Sequence, residues 1–248
     1  MSVRAASRNA RRRTRTRTTS ISKAGIWPEV RREFDRALEL NPTSPVVQLR
    51  NAISGLMPLG RVREAVAELR SLLEADPLSP LTHWWLVVLL VLDRDLEGLE
   101  REAIHFAALE PAHPYAQFSI GMSHTLKGDF ARAAASFRAA ADLSGRAPQV
   151  LGYLGSSQAL AGHADEARAI LAELHQRAAV SYVPPSAFAW ILLGLGDIDG
   201  AFEWLDRAVE VRDPWSMPIR THPIFDPIRL DPRFQVLLRR MNLADATL

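Results

Sequence analysis

Cysteine is absent from all 248 residues, which excludes disulfides, thiol nucleophiles and cysteine-ligated zinc, and fits a reducing, cytoplasmic setting. Long apolar runs are absent too. The longest, Trp84 to Leu92, has nine residues, against the roughly 18 to 20 that a membrane-spanning helix needs, so no membrane partner is expected. Acidic residues are missing from positions 1–28, where seven arginines and Lys23 stand alone. Removing those eight cations from 30 basic and 28 acidic side chains leaves 22 against 28, a net of −6 beneath an overall +2. The basic character belongs to the leader, and the body of the chain is acidic.

Catalytic signatures are missing as well. No phosphate-binding loop, dinucleotide fingerprint, nucleophile elbow or paired-histidine zinc motif occurs. Ser20-Ile21-Ser22-Lys23 has a serine–lysine spacing, but it lies in the basic leader, where no pocket desolvates the lysine. The seven histidines are scattered, none paired at i, i+4 on a helix as a metal site would want. Asp165 and Glu166 open a helix, where negative charge favours the dipole without any catalytic purpose. The expectation is a protein that is not an enzyme and carries no cofactor or metal.

What the chain does have is a clock. Gly25, Gly60, Gly128, Gly162 and Gly196 recur every 34 residues, 35 for the first step, with Arg94 on the one missing beat. Five residues later come Val30, Ala65, Leu99, Ala133, Ala167 and Ala201; nine later come Phe34, Leu69, Ala103, Phe137, Leu171 and Leu205. Ala37, Leu72, Phe106, Ala140, Leu174 and Ala208 continue the same small or apolar face. Pro42, Pro77, Pro111 and Gly145 then break it. Upstream, Pro80, Pro114 and Pro148 can each open a first helix without losing a needed N–H. Each unit therefore reads as helix, turn, helix, stop.

These residues resemble the tetratricopeptide repeat, a 34-residue helix–turn–helix unit with small residues where its two helices touch. The resemblance covers residues 25–213 and is best in Pro114 to Gly145 and Pro148 to Ala179. It implies an all-α fold, a right-handed α-solenoid with a C-terminal capping helix. The expected organisation is a disordered basic leader at 1–24, a half repeat at 25–42, and repeats at 46–77, 80–111, 114–145, 148–179 and 182–213. A cap at 214–248 follows, in which Asp231 and Pro232 start a helix running to about Met241 with Phe234, Leu237, Leu238 and Met241 on one stripe.

The ending carries a second resemblance. Tyr182-Val183-Pro184-Pro185, Leu195-Gly196, Ala201-Phe202-Glu203-Trp204-Leu205 and Leu230-Asp231-Pro232-Arg233-Phe234 are similar to the C-terminal repeat region of bacterial regulators. In that group the repeats follow a winged-helix, a class III adenylate cyclase or a protein kinase domain. That implies a sensory or interaction module of a bacterial signalling or transcription-regulatory system, without the output domain. Residues 11–24 occupy the slot of a first-repeat helix A yet hold almost nothing apolar, so the chain reads as the C-terminal part of a longer ancestor or as having a misassigned start. Three readings of the arginine-rich leader stay open: a phosphate-binding nucleic-acid footprint, a targeting segment and a disordered leader.

The implied register also turns one side of each helix A toward a concave groove. Those slots read Val47, Arg50, Ser54 and Met57, then Leu81, Trp84, Val88, Val91 and Leu92, then Tyr115, Phe118, Met122, Thr125 and Leu126. Gln149, Gly152 and Ser156 follow, then Val183, Ser186, Trp190 and Leu193. The groove is apolar and aromatic with Arg50 as its one cation, which disfavours a clamp for acidic peptide termini. A protein or peptide segment with apolar anchors fits better, held by Arg50, Met57, Trp84, Val88, Tyr115, Phe118, Met122 and Trp190. Two other occupants stay open, the chain's own C-terminal helix and a second copy through self-association. Trp85 and Trp204, by contrast, are expected in the core.

Overall fold

The computed structural model describes residues 26–243, and the basic leader, with its Ser-Lys pair and its nucleic-acid reading, lies outside them. Helix α1 (Ile26–Leu40) is followed by five helix pairs, each unit repeating the same local chemistry. The first pair opens with α2 (Pro45–Arg50), which continues as a π-helical stretch (Asn51–Leu56) and a 3₁₀ turn (Met57–Leu59) before its partner α3 (Val62–Ala75). Pro58 has no N–H to continue the α ladder, and the departure from α geometry falls on the residues just ahead of it.

The remaining pairs are regular: α4 (Pro80–Asp93) with α5 (Leu96–Leu109), α6 (Pro114–Leu126) with α7 (Phe130–Leu143), α8 (Pro148–Leu160) with α9 (Ala164–Ala178), and α10 (Pro185–Leu195) with α11 (Ile198–Glu210). Proline stands at the start of α2, α4, α6, α8 and α10, where its fixed φ helps and its missing N–H costs nothing. The first helix of each pair ends in one recurring turn. In the second regular example, Gly128 N–H donates to Thr125 O and Asp129 N–H to His124 O, and in the last, Gly196 and Asp197 donate to Leu193 O and Leu192 O. This pairing of a 5→2 and a 6→1 bond needs a left-handed residue between the helices. Gly128 and Gly196 supply it with φ of 74° and 78°, and Arg94 adopts the same region with φ of 58°. The clock in the sequence is thus the left-handed turn, and Arg94 keeps the beat at a steric cost of about 1–2 kcal/mol. Asp95, Asp129 and Asp197 then cap the second helices, each accepting an N–H three residues on.

The residues five after each beat, the small Ala65, Ala133, Ala167 and Ala201 and the larger Leu99, are all fully buried. Close approach is clearest at Gly121, where a Cβ would lie 2.6 Å from the Phe137 ring. Adjacent units also touch closely. A Cβ on Gly152 would meet the Ala187 backbone and the Trp190 ring, both at 2.9 Å.

After α11 the chain leaves the repeat. Two 3₁₀ segments, Pro214–Arg220 and Pro223–Ile228, form a strap, and α12 (Pro232–Arg240) covers α11 with Phe234, Leu237 and Leu238 buried. A solenoid needs such a lid, because its last unit would otherwise expose an apolar face. Among the described residues there is no strand, and no helix is long and apolar enough to cross a membrane.

Candidate functional site

The concave face is not open along its whole length. Of the eight residues expected to grip a guest, five are buried: Met57 at 1% exposure, Trp84 at 5%, Phe118 at 3%, Met122 at 4% and Trp190 at 1%. Arg50 is exposed, and Val88 and Tyr115 are half-buried. These five are therefore not open to a guest in this structure, whereas Arg50, Val88 and Tyr115 keep accessible surface. Trp84 and Trp190 belong to the core, and Trp85 and Trp204, expected there, are half-buried and pack against it, Trp204 stacking on Phe188 at 3.9 Å between centroids.

The cover is the strap. Trp215, Met217, Pro218 and His222 face Met57, Trp84, Val88 and Phe118 across a small void of about 50 Å³. The occupant is therefore the irregular segment ahead of the final helix and not that helix itself. Helical amphipathicity cannot signal such a segment, because a 3₁₀ strap interrupted by prolines has no 3.6-residue period.

Beneath the strap runs a chain of rings. Trp84 stacks on Tyr115 at 4.2 Å and meets Phe118 edge-on at 5.2 Å. Phe118 touches Tyr153 at 4.9 Å, and Tyr153 touches Trp190 at 4.5 Å and His222 at 5.9 Å. Trp190 fills the space that Gly152 leaves, which removes it from the groove. Its indole Nε1 is buried with no hydrogen-bond partner among the described residues.

Two residues central to this arrangement, Tyr153 and His222, were not among the expected groove residues. Tyr153 falls one position beyond the groove slot held by Gly152. Its hydroxyl pairs with His222 Nε2 at 2.9 Å, and burial pushes the phenol well above its ordinary range. The other ring nitrogen, His222 Nδ1, accepts the Ile224 N–H at 3.1 Å and so caps the second 3₁₀ segment. Burial holds the His222 pKa down at about 3, assisted by Arg229 and Arg94 against the opposing pull of Asp226. The pattern His222-Pro223 repeats the cap-then-proline signal of Asp213-Pro214 and Asp231-Pro232, and is the sequence cue to it.

Charged contacts hold the strap from outside. Asp226 accepts two bonds from Arg94 Nη2, at 2.7 and 2.6 Å, and further bonds from Arg229. Arg229 also donates to the carbonyls of Arg220 and His222. Burial would raise the Asp226 pKa, but the two guanidinium groups outweigh it and leave the carboxyl below its usual range. At the strap's start the buried Asp213 carboxylate accepts from the backbone N–H groups of Ser186 and Trp215. Among the described residues no cluster of three or more His, Asp or Glu is placed to hold a metal ion.

No protein-family model matches the chain, and no curated protein matches it. Among solved structures, the crystal structure of a thermophilic TPR protein from Thermus thermophilus is similar, with a TM-score of 0.55 and 20% identity. The match covers 73% of this chain and 99% of that one. The fold is a tetratricopeptide-type α-solenoid. At that identity the likeness speaks for architecture, and the strap and its contacts are read from this chain's own residues.

Proposed function

We propose that the chain is a non-catalytic protein–protein interaction scaffold whose concave face takes an apolar segment of a partner beside the strap. The observation that carries this reading is the strap itself. A proline-broken segment of 15 residues, 214–228, lies on the aromatic groove through Trp215, Met217 and His222, as an extended guest would. Beside the strap the groove offers exposed Arg50 and half-buried Tyr115, with Leu81 exposed at 54%. An apolar anchor with an acidic neighbour to meet Arg50 fits that chemistry. In a cell such a module would serve as the regulatory part of a bacterial signalling or transcription-regulatory system, the setting that the ending of the chain resembles.

The test is quantitative affinity purification with wild type and a Leu81→Asp/Tyr115→Ala variant whose circular dichroism and melting temperature match wild type. At least one protein retained by wild type should be depleted about tenfold or more with the variant and should bind the purified wild type directly. Identical sets of retained proteins would overturn the reading. Sedimentation of wild type alone reports whether a second copy is that partner.

A second reading rests on the arginines at positions 11, 12, 13, 15 and 17. It makes the chain a nucleic-acid-associated protein through its leader. Salt-dependent DNA or RNA binding that vanishes on deleting residues 1–24 would favour it.

A further inference from the structure

A second, larger cavity of about 380 Å³ lies between the strap and helices α4, α6, α8 and α10. Its size falls in the range of small-molecule sites, about 300–1,000 Å³. Most of its wall is aliphatic, from Val91, Met122 and Leu193 to Ile224 of the strap. The charged residues on the wall are Arg94 and Asp226, which bind each other and leave no net charge to recognise an ion.

The polar groups on the wall are donors short of acceptors. His222 Nδ1 accepts the Ile224 N–H, so in the neutral ring the proton sits on Nε2. Nε2–H then donates to the Tyr153 oxygen. The phenolic proton of Tyr153, a residue only 8% exposed, has no acceptor among the described residues. Ser156 and Ser157, 4% and 2% exposed, line the same wall, and their hydroxyls make no hydrogen bond to other described residues. These hydroxyls line the cavity, where an acceptor on a bound molecule can take the place of water.

We propose that this cavity is a binding site for a small neutral organic molecule, apolar over most of its surface and carrying a carbonyl or ether oxygen that accepts from one or two of the hydroxyls of Tyr153, Ser156 and Ser157. Neutrality follows from the self-paired Arg94 and Asp226, the apolar body from the aliphatic wall, and the acceptor from the three hydroxyls. Because the strap residues Pro223 to Pro227 form one side of the site, a bound molecule also bridges the strap to the solenoid.

Benzophenone and diphenylmethane test this, since they differ by one carbonyl oxygen in an otherwise matched apolar frame. Titrated into the full chain and followed by methyl NMR, both should saturate, shifting Met122 and Leu193. Benzophenone should bind about threefold to tenfold more tightly. The Ser156→Ala/Ser157→Ala variant and Tyr153→Phe should each reduce that preference, the serine variant serving as the control that leaves the His222 contact intact. Leu160→Trp, at the half-exposed rim, should block both compounds while the fold is kept. The proposal fails if neither compound saturates, if Leu160→Trp leaves binding unchanged, or if the carbonyl preference is absent in wild type or survives loss of the hydroxyls.

Discussion

Arg94 and Asp226 lie 132 positions apart and meet through one guanidinium nitrogen set between both carboxylate oxygens, at 2.7 and 2.6 Å. Arg94 is also the left-handed residue that ends α4, so one side chain closes a repeat turn and fastens the strap.

The ion pair is half exposed, with side-chain exposures of 52% and 41%. Its coupling should therefore be modest, about 0.2–1 kcal/mol in a double-mutant cycle of Arg94→Ala and Asp226→Asn followed by urea unfolding. Its more visible effect should be on the strap, which either single variant should make more sensitive to limited proteolysis. Equal cleavage rates in wild type and both variants would mean that the pair does not fasten it.

Left-handed backbone at a side-chain-bearing residue is a local cost that glycine relieves. Arg212 has a φ of 55° and is exposed. Arg212→Gly should stabilise the chain by about 0.5 kcal/mol, the relief of strain exceeding the added entropy of the unfolded glycine. Arg94→Gly should be more stable than Arg94→Ala by a similar margin, since both lose Asp226 and only one relieves the turn. Destabilisation by Arg212→Gly in chemical denaturation would contradict this.

His222 gives a pH dependence with a defined sign. Its folded pKa of about 3 lies below the ordinary 6.5, so the unfolded chain binds a proton that the folded chain refuses. The stability linked to this group is complete above pH 6.5 and is lost as pH falls toward 3, at no more than about 1.4 kcal/mol per pH unit. His222→Gln should flatten the slope of unfolding free energy between pH 6.5 and 4.5, where Asp226, with its lowered pKa, contributes least. An unchanged slope would show that His222 is protonated or solvated in the folded chain.

Gly121 and Phe137 are a matched pair. A Cβ at Gly121 would lie 2.6, 2.7 and 2.9 Å from three ring carbons of Phe137, itself fully buried. Gly121→Ala should cost about 1–3 kcal/mol by overpacking, and Phe137→Ala about 3–5 kcal/mol by leaving a cavity. The double variant Gly121→Ala/Phe137→Leu should be less harmful than the sum of Gly121→Ala and Phe137→Leu measured singly, because the smaller side chain makes room for the methyl group. Additive losses in thermal or urea unfolding would mean that the helices separate instead of repacking.

The repeating part of the molecule was legible because its causes are local. A left-handed turn needs glycine at one position, a first helical turn tolerates proline at another, and a buried face recurs with the helical period. All three leave marks at fixed spacing, so Gly128, Pro114 and Ala133 reveal the helix pairs without any knowledge of distant contacts. The strap leaves no such period, and which side chains it covers depends on how far the superhelix brings residue 222 back toward residue 153. The strap covers Trp84 and the packing of α10 on Gly152 buries Trp190, two residues that a one-dimensional register placed on the groove. Sequence by itself thus determined the units and their turns, set by hydrogen bonds and packing within a few tens of residues. Tertiary structure alone decided what lies in the groove, because that depends on contacts such as Tyr153 to His222 and Arg94 to Asp226, whose partners share no local spacing rule.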